Sequence, residues 1–80
     1  MLSEEEIRKA ARESAAEITK RSVKDSDALV SSGLVDSLAI LKLIARLEEK
    51  LRVNLPTDQL QPDDFDSVEL IVETIQRVTA

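Results

Sequence analysis

Chain breakers are nearly missing from this sequence. Its 80 residues contain one glycine, two prolines and one aromatic residue, Phe65. Sandwiches and barrels need many tight turns, and Gly and Pro supply them. A chain short of both, with a core to build from Leu, Ile, Val and Ala, suits helices. Three stretches read that way. Ser3 and Glu6 have capping-box spacing, with Leu2 and Ile7 placed as a hydrophobic staple around them. Ile7, Ala10, Ala11, Ser14 and Ile18 then share one face of a first helix, which should fade near Lys20 to Ser22. A second helix is expected from about Ser37 to Leu51, with Leu41, Ile44, Leu47, Glu48 and Leu51 on one broad face and Ile40 and Leu43 at its margins. A last helix buries Val68, Ile71, Val72, Ile75 and Val78, capped by Asp66 or Ser67, with Asp66 and Glu69 again at capping-box spacing.

The connections are equally informative. Residues 23–36 form a long first loop, in which Val23, Leu29, Val30, Leu34 and Val35 suggest that it is pinned across the core. Gly33 provides a backbone conformation that other residues resist. Residues 52–56 read as extended, because Pro56 pushes Leu55 out of helical geometry. Pro62-Asp63-Asp64-Phe65 reads as one short helical turn, with Pro and carboxylates at its start. The expected fold is all-α: three main helices, one short helix and a long first loop, in a single domain over residues 1–80.

Composition narrows the function. A 42% share of hydrophobic residues is enough for a compact core and argues against disorder. The net charge of −5 disfavours nucleic acid and anionic membranes, and favours basic partner surfaces. No apolar run approaches the roughly 20 residues of a membrane-spanning helix. The acidic start, Leu2-Ser3-Glu4-Glu5-Glu6, differs from the basic start of a signal peptide, so the expected location is cytoplasmic. There is no cysteine for a disulfide or thiolate metal site. With no histidine, Ser37 lacks a base, and Lys42 is wrongly spaced to serve as one. Catalysis by this chain is not expected. Asp63, Asp64 and Asp66 lack the pattern of a calcium loop, so no metal is expected and they read as solvated carboxylates at helix starts. Glu5–Lys9 and Glu17–Arg21 have the i,i+4 spacing of ordinary surface pairs.

Gly33-Leu34-Val35-Asp36-Ser37-Leu38 stands apart. An apolar loop runs into an Asp-Ser pair at the mouth of an amphipathic helix. Alone, the pair is an ordinary helix cap. Its order with Leu47-Glu48-Glu49-Lys50-Leu51, Val53-Asn54-Leu55-Pro56, Pro62-Asp63-Asp64-Phe65 and the final helix resembles the acyl and peptidyl carrier proteins over about residues 27–79. That resemblance implies a four-helix carrier bundle. It also implies a 4'-phosphopantetheine arm, transferred from coenzyme A to Ser37, with Asp36 and Leu38 recognised beside it. The arm would carry acyl or aminoacyl groups as thioesters. The implied partners are a phosphopantetheinyl transferase, adenylating or acyl-transferring enzymes and downstream synthase enzymes, met by a monomer through Leu38, Ala39, Lys42, Ala45, Arg46 and the start of the 52–65 loop. The mixed charge of Lys42, Arg46 and Lys50 against Glu48 and Glu49 resembles peptidyl carriers, or stand-alone carriers of specialised pathways, more than fatty-acid carriers. Asp63-Asp64-Phe65 resembles the D-alanyl carriers. From the residues alone, a cofactor-free helical interaction module and a fragment of a larger synthase remain alternatives. The start at Met1 and the end just after the last helix suggest a free-standing protein.

Overall fold

The computed structural model describes residues 2–79; Met1 and Ala80, the ends of the expected domain, lie outside the described residues. Three α-helices make the frame: α1 (Glu4–Thr19), α2 (Ser37–Leu51) and α3 (Val68–Thr79). Two 3-10 turns, Thr57–Gln59 and Pro62–Phe65, lie between α2 and α3. The expected short fourth helix is the second of these turns, and the first was not foreseen. No strand occurs among the described residues.

Local sequence sets the helix ends. Ser3 caps α1 in a full capping box: its hydroxyl accepts from the Glu6 N–H, and the Glu6 carboxylate accepts from the Ser3 N–H, both at 3.1 Å. The Ser3 N–H, and then the Ser3 hydroxyl, hold the Glu6 carboxyl below its usual range. α1 ends where Lys20 turns left-handed at φ 59°, and α2 ends the same way at Arg52, φ 56°. Val53 adds a second N–H on the Glu48 carbonyl, and the Glu48 carboxylate accepts from the Leu55 N–H at 2.8 Å. Glu48, a charged residue on the expected apolar face of α2, therefore fastens the chain that leaves the helix.

One apolar cluster joins the three helices. Phe65, Ile7, Leu29, Leu43, Leu47, Ile71 and Ile75 are its largest fully buried side chains. Both α2 and α3 pack on α1, whose Ala10, Ala11 and Ala15 are buried and let them approach closely. Two expectations about faces need correction. The buried face of α2 is Ile40, Leu43, Ile44, Leu47 and Leu51, whereas Leu41 is 59% exposed. α2 is apolar over so much of its circumference that periodicity alone does not orient it, and packing against α1 turns Ile40 and Leu43 inward. On α1, Ala15 takes the buried place expected of Ile18, which is only half-buried.

The first loop is pinned, as its apolar residues suggest. Val23, Leu29 and Val35 are buried, while Leu34 reaches the surface. Gly33 adopts φ +86°, the conformation that favours glycine. Arg8 and Arg12 both grip Asp25, through bonds of 2.8 to 3.1 Å, and so tie the loop to α1. The expected surface pairs give way to other partners: Arg8 bonds Glu4, and Glu17 crosses to Arg46 and Lys50 on α2.

Candidate functional site

Ser37 is the first residue of α2 and is exposed. Asp36 precedes it as the N-cap, in extended geometry, and its Oδ1 accepts from the Ala39 N–H at 2.8 Å. The Asp36 carbonyl takes the Ile40 N–H at 2.9 Å. The Ser37 and Leu38 N–H groups have no partner among the described residues, and neither does the Ser37 hydroxyl. The cap thus falls to Asp36, which leaves the serine hydroxyl free at the positive end of a helix. An anion joined to Ser37 would meet two unpaired N–H donors and a favourable dipole.

Two non-contiguous parts of the chain meet around this serine. On one side runs a groove of about 150 Å³, lined by Ser37, Leu41, Thr57, Leu60, Pro62 and Phe65 among others. The 3-10 turns supply its far wall. On the other side a shallow cleft of about 300 Å³ lies between the end of α1 and the start of α2, and Lys20, Asp36, Leu38, Lys42 and Arg46 reach it. Larger clefts lie away from Ser37, one of them at the opposite end of α2 beside Leu2, Arg52 and Thr79.

Leu38 is 64% exposed on the side of the cleft. Ala45 and Lys42 are exposed on the same helix, and Lys42 has no ion-pair partner among the described residues. Ala39 is half-buried against the core. Arg46 is not free, because Glu17 holds it at 2.9 Å. Of the residues named from sequence, Asp36, Leu38, Ala39, Lys42 and Arg46 line the cleft between α1 and α2, Ser37 lines the groove, and Ala45 lines neither. Leu41 and Leu60 were not foreseen in this groove, and of the 3-10 wall only the start of the 52–65 loop was expected near the site.

Asp66 also departs from expectation. It caps nothing in α3; Ser67 does that, its hydroxyl accepting from the Leu70 N–H at 3.1 Å. The Asp66 Oδ1 instead accepts from the Val30 and Ser31 N–H groups, both at 2.8 Å, and from the Ser31 hydroxyl at 3.2 Å. The Asp66 carbonyl accepts from the Leu29 N–H at 2.7 Å. The Ser31 backbone bond, above all, holds the Asp66 carboxyl below its usual range. Nor is Asp64 merely solvated: its carboxylate accepts from the Gln61 N–H at 2.8 Å, and Arg77 lies 3.7 Å away.

Known proteins are similar to part of this sequence. The chain is 31% identical over 48 residues to D-alanyl carrier proteins of Listeria welshimeri and Listeria monocytogenes, matching 60% of this chain and 62% of each relative. It therefore spans less than two thirds of the length of those relatives. A D-alanyl carrier protein of Streptococcus uberis is 32% identical over 56 residues, or 70% of each chain. No solved structure matches. Residues 9–75 match the family described as the phosphopantetheine attachment site, and the chain belongs to that carrier-protein family, whose prosthetic group is covalently bound phosphopantetheine.

Proposed function

We propose that residues 1–80 form one carrier domain whose Ser37 hydroxyl receives the phosphopantetheine arm. The observation that carries this reading is the division of labour at the head of α2: Asp36 makes the cap, and Ser37 stays exposed with no hydrogen bond of its own. Attachment forms a bond from the Ser37 Oγ to phosphorus and breaks the pyrophosphate link of coenzyme A. Adenosine 3',5'-bisphosphate leaves, and the hydroxyl proton passes to a base on the transferase. The resulting phosphodiester fits the unpaired Ser37 and Leu38 N–H groups and the helix dipole. When bound, the arm supplies a terminal thiol, the nucleophile that a chain without cysteine lacks. Asp36 orients the helix start, and Leu38 offers an apolar contact to the enzymes that come to the site.

The cargo we favour is an aminoacyl group, with D-alanine first, because the relatives carry that carrier's name. This puts D-alanine ahead of the peptidyl-carrier cargo that the mixed charge of α2 suggested. The partners are then a phosphopantetheinyl transferase and an adenylating enzyme specific for the amino acid. The carrier works as a monomer in the cytoplasm and catalyses nothing itself. None of the described helices is long and apolar enough to cross a membrane.

The test is loading of the arm-bearing protein by a D-alanine-activating ligase of Streptococcus uberis, with ATP and D-alanine, read by intact mass. Gain of one alanyl group, absent without the arm, supports the reading. An arm-bearing protein that this ligase leaves empty while peptide-type adenylating enzymes load it would overturn the D-alanyl assignment.

A further inference from the structure

We infer that Asp66 is a positioning residue for Ser37, joining the two separate parts of the chain that form the site. This rests on the carrier reading above.

Ser37 enters its place from the first loop, whose last turn spans residues 28–35. That turn is closed on itself: the Val35 N–H bonds the Leu29 carbonyl at 2.9 Å, the Gly33 N–H bonds the Val30 carbonyl at 3.0 Å, and the Ser32 hydroxyl bonds the Ala28 carbonyl at 2.6 Å. Asp66 anchors the turn from 35 residues away in the chain. Its carbonyl holds Leu29, and one carboxylate oxygen holds Val30 and Ser31. Leu29 is therefore the hinge pin, held by Asp66 through its N–H and holding Val35 through its carbonyl. Val35 is buried and leads directly to Asp36 and Ser37.

The other half of the link runs backward from Asp66. Its neighbour Phe65 is 1% exposed and lines the groove that faces Ser37. The turn Pro62–Phe65 builds that far wall, and the Asp66 N–H closes the turn on the Asp63 carbonyl at 3.3 Å. One residue thus fixes the loop that delivers the serine and the wall opposite it. A helix cap would need one N–H from α3. Instead the carboxylate leaves α3 to Ser67 and spends its acceptor capacity on the loop.

All three bonds to the side chain end on the same oxygen, and an asparagine retains one such oxygen. Asp66→Asn should therefore keep the geometry, while Asp66→Ala keeps the backbone bonds to Leu29 and Asp63 but loses the hold on Val30 and Ser31, which lets the turn pivot about Leu29. Attack by a hydroxyl is sensitive to displacements of an ångström, so Asp66→Ala should lower kcat for arm transfer by about ten- to a hundredfold, with Asn within about threefold of native. KM should change little, because α2 stays packed and the transferase still finds its face. A merely destabilised carrier behaves differently. It lowers the concentration of competent substrate, which raises KM and leaves kcat at saturation unchanged.

The experiment uses the full chain, a broad-specificity phosphopantetheinyl transferase and coenzyme A, with kcat and KM measured for native protein, Asp66→Asn and Asp66→Ala. Helicity is checked for each. The expected result is a fall in kcat for Ala and rescue by Asn. Native kcat in Asp66→Ala overturns the positioning role and leaves the carrier reading standing. Failure of the native chain to accept the arm overturns both. Should Asp66→Ala not fold, Asp66→Leu, of similar size and likewise without an acceptor, is measured in its place. Native kcat in a folded Asp66→Leu overturns the proposal.

Discussion

At the scale of single residues, side chains with similar sequence signals have different physical roles. Asp36 and Asp66 both precede a serine at a helix start, yet Asp36 caps its helix and Asp66 reaches across to a loop. The sequence marked the Asp-Ser pair as a cap and left open which of the two makes it; the bond to Ala39, three residues on, assigns it to Asp36. The Asp66 role was not, because its partners are at positions 29–31 and only the folded chain brings them near. Ser14 carries its own lesson. It was placed correctly on the buried face of α1, but its hydroxyl is 0% exposed and has no hydrogen-bond partner. An unsatisfied buried hydroxyl costs free energy, and alanine is the better helix former. Ser14→Ala is therefore expected to stabilise the fold by about 1 kcal/mol in urea unfolding; a destabilised variant would point to an unseen partner for the hydroxyl. Gly33→Ala should act in the opposite sense. No atom lies within 4 Å of where its Cβ would stand, so space is not at issue, but φ +86° is. A loss of about 1–2 kcal/mol in the same assay is expected from the left-handed backbone alone.

Among the elements, α2 was the most legible in extent and the least in orientation. Gly33 and Asp36 before it and the left-handed Arg52 after it set the ends that the sequence suggested. Its face was misjudged because Ile40, Leu41, Leu43 and Ile44 all qualify as core by type. Which of them is buried depends on how α2 lies against α1 and the 3-10 turns, a choice that no local rule encodes. The exposed Leu41 lines the groove beside Ser37, and Leu38 lines the cleft between α1 and α2. The two leucines and Leu43 should separate cleanly on substitution. Leu43 is 0% exposed at the centre of the frame, so Leu43→Ala should cost about 2–5 kcal/mol in unfolding free energy. Leu38→Ala and Leu41→Ala should leave stability within about 0.5 kcal/mol. Their effect belongs to the enzymes that meet the site, as a raised KM for arm transfer. A large stability loss in Leu38→Ala would mean that this residue serves the fold rather than the surface.

For the whole molecule, a small core is supplemented by electrostatic ties between distant segments. Asp25 fastens the first loop to α1 through Arg12 and Arg8, and Asp66 fastens its far end to the start of α3. The Arg12 guanidinium, and then Arg8, hold the Asp25 carboxyl below its usual range despite an opposing effect of burial, and the Ser31 and Val30 N–H groups do the same for Asp66. A carboxyl with a lowered folded pKa binds protons more readily when unfolded. Its contribution is therefore complete above the unfolded value, about 3.9, and is lost as pH falls through the lower folded value. The melting temperature should thus hold steady from pH 7 to about 5 and fall below about pH 4. In Asp66→Asn that acid dependence should be shallower; an unchanged acid limb would show that Asp66 is not among the groups responsible.

The central claim is that this chain carries its cofactor on Ser37, and intact mass tests it most directly. Native protein and Ser37→Ala are each incubated with a broad-specificity phosphopantetheinyl transferase and coenzyme A. The account predicts one added phosphopantetheine on the native chain, located to Ser37 by fragmentation, and none on a Ser37→Ala protein of native helicity. An arm on Ser37→Ala would contradict the site. A folded native chain that gains nothing would contradict the carrier role and favour a helical interaction module without cofactor.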